Sequence, residues 1–224
     1  MQPYFFPYIG YFQLIHAVNT FVVYDDVNFI KGGWINRNFI LSQGEKTRIT
    51  LQLRGASSYL LINQIIVGEN QVKLLKSIHQ SYAKAPHCSD IMLLIERVLM
   101  NEEKNLAKYL AYGLKEICSY LGLTPKWILS SDLQKDNTQR GQEKVLSICH
   151  EMRANHYINT SGGRSLYENL LFEKNGIKLS FISSKDIEYK QHNKPFESFL
   201  SIIDVMMFND REQCLKLIQE YSLE

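Results

Sequence analysis

Two adjacent carboxylates, Asp25 and Asp26, open the stretch DDVNFIKGGWINRN at residues 25–38. A carboxylate beside a bound amine or hydroxyl can act as a general base, so we predict catalytic roles for both. His16, on the first predicted helix, is a third candidate base, although a partly exposed helix histidine is the commoner case. The same stretch supplies the predicted substrate-binding side chains Lys31, Trp34, Asn36, Arg37 and Asn38.

Lys31 and Arg37 are suited to holding a phosphate or a carboxylate, and the planar guanidinium can do so with two parallel hydrogen bonds. Trp34 offers a flat surface for stacking on a sugar or a base. Gly32 and Gly33 permit a tight turn between them. The alternative interpretation is a surface loop with solvated charges and one anchoring tryptophan.

A second candidate lies at Ser161, Gly162 and Gly163, between a predicted strand and the segment that carries Tyr167. Backbone N–H groups in such a glycine-containing turn can bind an anion, so we predict substrate contacts from all four residues. A plain tight turn is the alternative. The similar Ser-Ser-Asp sequence at 130–132 is typical of a helix cap.

Polar residues near the carboxyl terminus complete the candidates. Asp204 shares an apolar helical face with Ser201, and a buried carboxylate needs a partner, so we predict a structural polar role for both. Gln191 is predicted to contact substrate, and His192 is a secondary candidate in the same polar segment. No spacing typical of metal ligands occurs among the histidines and cysteines, and we predict no metal.

The elements that must position these residues begin with MQPYFFPYIGYFQLI. Helical spacing of apolar residues runs from Tyr8 to Val18, with Pro7 at its first turn. Pro3 favours an extended backbone before that helix. This geometry places Gln2, Tyr4 and Tyr11 among the predicted substrate-binding residues, with Tyr11 also on the buried stripe.

Short apolar strands alternate with helices along the chain, which predicts an α/β fold with a mostly parallel sheet flanked by helices. Three strands run into polar residues, at VVYDD, WILSSD and YINTSGG, and ligands bind at the carboxyl ends of parallel strands. Helical patterns at 70–83, 89–100 and 103–121 predict a helical middle segment. We expect one domain over residues 1–224, with a helical insertion at roughly 70–121.

Composition limits which partners, which location and which cysteine chemistry we expect for the chain. A net charge of +2 argues against nucleic acid as a partner. No run of 18 apolar residues occurs, so we predict no stable membrane insertion, and a cytoplasmic location is the default. Four scattered cysteines predict buried free thiols. The oligomeric state has no sequence signal.

The combination of MQPYFFPYIGYFQLI, FVVYDDVNFIKGGWINRN, YINTSGGRSLY, YKQ and LSIIDVMMFN resembles the WbqC-like family, in order from Met1 to Asn209. The resemblance implies a cytoplasmic role in making bacterial O-antigen or other surface polysaccharide from a sugar nucleotide, with glycine transfer to an amino sugar as the proposed activity. Relatives usually have a short apolar segment before the QP motif. If that segment is a strand, we expect its absence here to affect folding more than function. The family motif falls on Gln2, Pro3, Pro7, Gly10, Tyr11, Asp25, Asp26, Lys31, Asn36, Arg37, Asn38, Gly162, Gly163, Tyr167, Gln191, Ser201 and Asp204.

Three functions are consistent with these residues. The first is a transferase that acylates an amino-sugar nucleotide, with glycine as the acyl group. The second is an amide ligase with a nucleotidyltransferase-like fold, which would use ATP; the cofactor is otherwise left open. The third is a non-catalytic carbohydrate-binding or pathway-organising protein, favoured by the absence of a diagnostic catalytic triad or phosphate loop.

Overall fold

The computed structural model describes residues 1–191 and 195–224 and has a mixed α/β architecture, which confirms the predicted fold class. Parallel strand pairs are flanked by helices, and the sheets are small. The strands of the described residues are β1 (Thr20–Val23), β2 (Arg37–Ser42), β3 (Glu45–Thr50), β4 (Leu53–Arg54), β5 (Ile66–Val67), β6 (Lys126–Leu129), β7 (His156–Thr160), β8 (Lys178–Ser184) and β9 (Tyr221–Leu223).

The α-helices include the three predicted for the middle of the chain, and short 3-10 helices lie at Ile62–Gln64, Ser130–Asp132 and Ser161–Leu166. Gly122 ends the last middle helix in the left-handed conformation, with φ of 79°, as its position in the sequence predicts. The α-helices are α1 (Ile9–His16), α2 (Gln71–Tyr82), α3 (Cys88–Leu99), α4 (Leu106–Leu121), α5 (Gly141–Glu151), α6 (Asn169–Lys174), α7 (Ile202–Phe208) and α8 (Arg211–Gln219).

Parallel pairing occurs in two separate places. β1 pairs with β6, so that Val23 lies opposite Leu129, and β7 pairs with β8. Met1 hydrogen-bonds to the other edge of β1, because its amino group donates to the Val22 carbonyl at 2.9 Å and its carbonyl accepts from Tyr24 N at 2.8 Å. The parallel strands predicted from the sequence are therefore present but distributed over small sheets.

Antiparallel pairs complete the sheets. β2 and β3 form a hairpin, β4 pairs with β5, and β9 pairs with β8. Strand β2 was not predicted from the sequence, because Arg37 and Asn38 at its start mask the alternating burial that follows. Helix α7 begins after Ser201, which caps it by accepting from Ile203 N at 3.2 Å.

The main core contains buried residues of α1, α2, α3, α4, α7 and α8 together with residues of β1, β2 and β3, and α1 also packs against β7 and β8. A smaller core cluster joins α5 and α6 near β7. All four cysteines are free and buried, as predicted. Within the described residues, no helix combines the length and the apolar character needed to cross a membrane.

Candidate functional site

Asp25 follows the carboxyl end of β1 and ties it to the end of β6. Its carboxylate accepts hydrogen bonds from the Ser131 hydroxyl at 2.6 Å, from Ser131 N at 3.0 Å and from Asn63 Nδ2 at 3.1 Å. The side chains meet because parallel β1 and β6 end at the same edge. With 1% of its surface exposed, Asp25 has donors on both carboxylate oxygens and fixes the geometry of this edge.

Asp26, the next residue, lies between two lysine side chains. Its Oδ2 is 2.9 Å from Lys135 Nζ and 3.1 Å from Lys144 Nζ. Lys144 also donates to the Asp26 carbonyl at 2.7 Å, and Lys135 donates to the Ser130 carbonyl. The lysine side chains are 1% and 6% exposed, so two ammonium groups and one carboxylate are buried together.

The charge balance of this group favours ionised Asp26. Burial alone raises the pKa of the Asp26 carboxyl, but contacts with Lys135 and Lys144 outweigh it, so the pKa lies below its ordinary value. The carboxylate is therefore negative at neutral pH, and the three side chains together carry one net positive charge. A buried excess of positive charge is costly unless a further anion approaches it.

Aromatic and amide side chains from the residue after β1, from β7 and from the segment after β7 lie beside these charges. Lys144 Nζ is 5.5 Å from the centre of the Tyr24 ring. The Tyr157 and Tyr167 hydroxyls are 3.1 Å apart, and Asn159 Nδ2 donates to both at 3.1 Å. Burial raises the pKa of Tyr24, and the Asp26 charge and Tyr167 add to that increase, so Tyr24 stays protonated.

We call this group the strand-end cluster. It combines a predicted carboxylate and a predicted tyrosine with residues that the sequence analysis missed. Its members are Tyr24, Asp26, Lys135, Lys144, Tyr157, Asn159 and Tyr167.

The two missed lysines differ in the sequence signal that they carry. Lys144 lies on α5 four residues before buried Ile148, so it interrupts an apolar helical face, and that interruption is a usable signal. Lys135 lies in a polar segment between Asp132 and α5, where no periodicity distinguishes a buried lysine from solvated ones.

The predicted Ser161–Gly163 turn forms the start of a 3-10 helix after β7. A methyl group on Gly163 would lie 3.2 Å from Asn159 Nδ2 and 3.7 Å from the Tyr167 ring, so glycine permits close packing against the strand-end cluster. Nothing lies within 4 Å of the corresponding position on Gly162. Ser161 is exposed. Gly163 thus has a packing role, whereas Gly162 faces open space.

His16 lies at the opposite end of β1 from Asp26. Residues 17–19 connect His16, at the end of α1, to Thr20, the first residue of β1, while Asp26 comes after the last. Four strand residues separate the two ends by about 13 Å. His16 Nδ1 lies 3.0 Å from the Tyr221 hydroxyl, so its partner is on β9 and not in the strand-end cluster.

Gln2, Tyr4 and Tyr11 belong to the N-terminal segment, Met1–Phe6, and its contact with α1. The Tyr11 hydroxyl donates to the Gln2 carbonyl at 2.7 Å, and the Tyr4 hydroxyl donates to Gln2 Oε1 at 3.4 Å. Tyr11 is buried, while Gln2 and Tyr4 are partly exposed. Tyr11 therefore positions the backbone of the segment, and the other two side chains line its accessible side.

Asn38 and Ser201 hold the N-terminal segment at Phe6, a non-glycine residue with φ of 42°. Asn38 Nδ2 and the Ser201 hydroxyl both donate to the Phe6 carbonyl, at 2.7 and 2.8 Å. Asn36 Nδ2 donates to the Leu51 carbonyl at 2.8 Å and joins the start of β2 to the end of β3. The Asn36, Asn38 and Ser201 side chains thus donate hydrogen bonds to backbone carbonyls that would otherwise lack a partner, and they hold the irregular backbone at these points in place.

Lys31, Trp34 and Arg37 lie before and at the start of β2. Lys31 is exposed in the turn closed by the bond from Gly33 N to the Ile30 carbonyl, at 3.1 Å. Trp34 is 49% exposed. These side chains are accessible, and the structure shows no direct contact between them and the strand-end cluster.

Asp204 and Gln191 form a separate buried network. Asp204 accepts hydrogen bonds from Tyr82 at 2.7 Å, from Tyr189 at 2.8 Å and from Gln191 Nε2 at 2.8 Å. Burial and the Asp204 charge both raise the pKa of Tyr82. His192 lies outside the described residues. Asp204 thus anchors the segment before α7, as a structural polar role requires.

The acidic, histidine and cysteine side chains of residues 1–191 and 195–224 are scattered with respect to metal binding. No group of three or more His, Cys, Asp or Glu side chains there is arranged to hold a metal ion.

Comparison with known proteins identifies the family of the chain and one relative. The family model described as WbqC-like protein family matches residues 2–215. "Uncharacterized protein Rv1507c" from Mycobacterium tuberculosis (strain ATCC 25618 / H37Rv) is 28% identical over 214 residues, which cover 93% of this chain and 91% of that protein. No solved structure matches the chain significantly. The family match covers nearly the whole length, and the chain belongs to the WbqC-like protein family.

Proposed function

We propose that the chain is a transferase that modifies an amino-sugar nucleotide, with N-acylation by glycine as the reaction, in the synthesis of bacterial surface polysaccharide. The observation that carries the proposal is the pair of buried ammonium groups, Lys135 and Lys144, on the single carboxylate of Asp26. They lie beyond the carboxyl ends of parallel strands, where ligands of α/β sheets bind. A substrate phosphate or a developing oxyanion supplies the missing negative charge.

Acyl transfer to an amine places distinct demands on the site. The sugar nitrogen attacks the carbonyl carbon of the activated glycyl group, the carbonyl oxygen becomes negative, and the leaving group departs as the nitrogen loses a proton. Fixed positive donors stabilise that oxygen. Lys135 and Lys144 supply such donors, and Asp26 holds both of them in place.

The base that removes the amine proton stays a prediction. Both oxygens of Asp25 already accept hydrogen bonds, and Asp26 is ionised but paired with two lysines. A lowered pKa makes a carboxylate a weaker base, so positioning of the lysines is the role of Asp26 that the contacts favour. Tyr24, Tyr157 and Asn159 offer hydroxyl and amide groups suited to sugar hydroxyls.

The direct test is a transfer assay read by mass spectrometry. Purified protein is incubated with a UDP-linked amino sugar and, in parallel, with glycine plus ATP, a glycyl thioester and an acetyl thioester. The proposal expects an increase in mass of the sugar nucleotide by one acyl residue in one of these reactions. Absence of any new product with every donor and with several amino-sugar isomers contradicts it.

An ATP-dependent amide ligase is the second candidate. Met1 pairs in parallel with β1, and the chain then turns through Pro7 into α1. This strand–turn–helix opening is similar to that of enzymes that activate acids as adenylates, a likeness of fold alone. Exchange of labelled pyrophosphate into ATP that depends on glycine distinguishes the ligase, and its absence leaves the simple transferase.

A further inference from the structure

The β2–β3 hairpin exposes a face that combines positive charge with aromatic surface. Side chains alternate along each strand, and the opposed pair Asn38 and Ile49 points into the protein. Arg37, Phe39 and Arg48 therefore share the outward face, and Phe39 and Arg48 lie directly opposite each other. We call Trp34, Arg37, Phe39 and Arg48 the hairpin face.

Trp34 is the aromatic platform of this face. Its ring packs edge-to-face against Phe39, with ring centres 5.9 Å apart and planes at 65°. The contact holds the indole, while 49% of Trp34 remains exposed. A large aromatic ring that is held in place and half exposed is typical of a surface that binds a flat or apolar group.

The positive charges of the face are available to a ligand. Among the described residues, Arg37 and Arg48 have no acidic partner, whereas Lys46, on the same side of β3, is paired with Glu197 at 2.8 Å. A Cβ atom on Gly32 would lie 3.4 Å from Arg37 Nη2, so the Arg37 guanidinium lies against the turn before Trp34. Guanidinium groups bind phosphates with paired hydrogen bonds.

The hairpin face is also linked to the strand-end cluster through the N-terminal segment. Met1 hydrogen-bonds to Tyr24, a member of that cluster, and Phe5 N donates to the carbonyl of Ile35, the residue after Trp34. Four residue steps from Met1 to Phe5 span at most about 14 Å. The two surfaces are thus separated by one short stretch of backbone.

We propose that the hairpin face binds the nucleoside diphosphate part of the substrate, with the base stacked on Trp34 and the phosphates held by Arg37 and Arg48. This inference rests on the proposed function, because it takes the ligand to be a sugar nucleotide. The free guanidinium groups complement a diphosphate, and the indole complements a planar base. The amino sugar then extends along the N-terminal segment toward Lys135 and Lys144.

Calorimetric titration with UDP alone tests the inference without requiring any turnover. Trp34→Ala is expected to weaken UDP binding about tenfold, because stacking on an aromatic side chain contributes at about that level. Arg48→Ala is expected to weaken it several-fold and to reduce its dependence on salt. Lys115→Ala is the control, since Lys115 is an exposed lysine on α4, outside the hairpin face, and it should leave the affinity unchanged.

The parts of UDP separate stacking from charge recognition. Uridine is expected to lose the effect of Arg48→Ala but keep that of Trp34→Ala, and inorganic pyrophosphate is expected to do the reverse. Far-ultraviolet circular dichroism checks that each variant is folded, and Trp34→Phe keeps a ring for stacking if Trp34→Ala does not fold.

Two results overturn the inference. One is UDP affinity that is unchanged in Trp34→Ala and Arg48→Ala. The other is a change in oligomeric state on Trp34→Ala, measured by analytical ultracentrifugation, without any change in UDP affinity, which would identify the face as an interface between copies of the chain. UDP binding at the face together with no acyl transfer would leave this inference standing and contradict only the proposed reaction.

Discussion

Replacing Asp26 by asparagine removes the one carboxylate that offsets two buried ammonium groups. Lys135 Nζ and Lys144 Nζ lie 2.9 and 3.1 Å from the same oxygen, so they are at most about 6 Å apart. At an effective dielectric constant of about 20, a carboxylate about 3 Å from an ammonium group attracts it by about 5 kcal/mol, and Asp26→Asn removes this attraction while the repulsion of about 3 kcal/mol between the lysines remains uncompensated. We therefore expect Asp26→Asn to lower the free energy of unfolding by about 3 kcal/mol, in line with other buried pairs that lose one partner.

Urea denaturation followed by circular dichroism measures this change at pH 7. Asp132→Asn is the matched control, since Asp132 is exposed in the adjoining segment, and it should change the free energy of unfolding by less than about 0.5 kcal/mol. The double variant Asp26→Asn/Lys144→Met should be more stable than the sum of the single effects predicts, because one of the two repelling charges is gone.

The pH dependence gives an independent check of the same reasoning. The pKa of Asp26 is lower in the folded than in the unfolded chain, so its stabilising contribution is present above the ordinary carboxyl pKa. It is lost as the pH falls through the folded pKa. The stability difference between wild type and Asp26→Asn should shrink on acidification. A difference at pH 7 below about 0.5 kcal/mol, or strictly additive single effects, refutes the reasoning.

Two further pairs of variants test other parts of the structure. Asp204→Asn turns a carboxylate that accepts hydrogen bonds from three side chains into an amide, and we expect it to lower the free energy of unfolding by about 2–3 kcal/mol in thermal or urea denaturation. Tyr189→Phe removes only one of these donors, and we expect it to lower the free energy of unfolding by about 1 kcal/mol. Equal effects of the two variants would contradict this order. Gly163→Ala should lower the melting temperature, because the added methyl group would contact the Asn159 side chain. Gly162→Ala should leave the melting temperature unchanged, because nothing lies within 4 Å of the added methyl group. Equal melting temperatures for the two variants would contradict the packing role of Gly163.

The sequence predicted the part of the site that depends on strand order. Strands of a parallel pair end at the same edge, so the polar residues that follow TFVV and KWIL were expected to meet, and Asp25 does contact Ser131. The alternation of strands and helices was sufficient for the fold class. Helix ends that depend on a local signal, such as Gly122, were also predictable.

Contacts that depend on tertiary packing were not predictable. Nothing in the sequence around Lys135 shows that its side chain turns inward to Asp26, because burial of a loop lysine is decided by distant residues. The hydrogen bonds from Asn38 and Ser201 to Phe6 also needed the structure, since a non-glycine residue with positive φ has no sequence signature. His16 was predicted as a candidate base, and its contact with the Tyr221 hydroxyl on β9 could not be read from its place on the first helix.

We propose that the strand-end cluster binds and processes an amino-sugar nucleotide. Steady-state acyl transfer by wild type and Lys144→Met, read by mass spectrometry, tests it most directly, with exposed Lys174→Met as the control. Lys144→Met leaves Asp26 paired one-to-one with Lys135, so the fold should survive. We predict transfer by wild type and the control, and a loss of at least about tenfold in kcat/KM for Lys144→Met, the size expected for one charge-assisted hydrogen bond. No transfer by the wild type, or equal kcat/KM in a folded Lys144→Met, contradicts the claim.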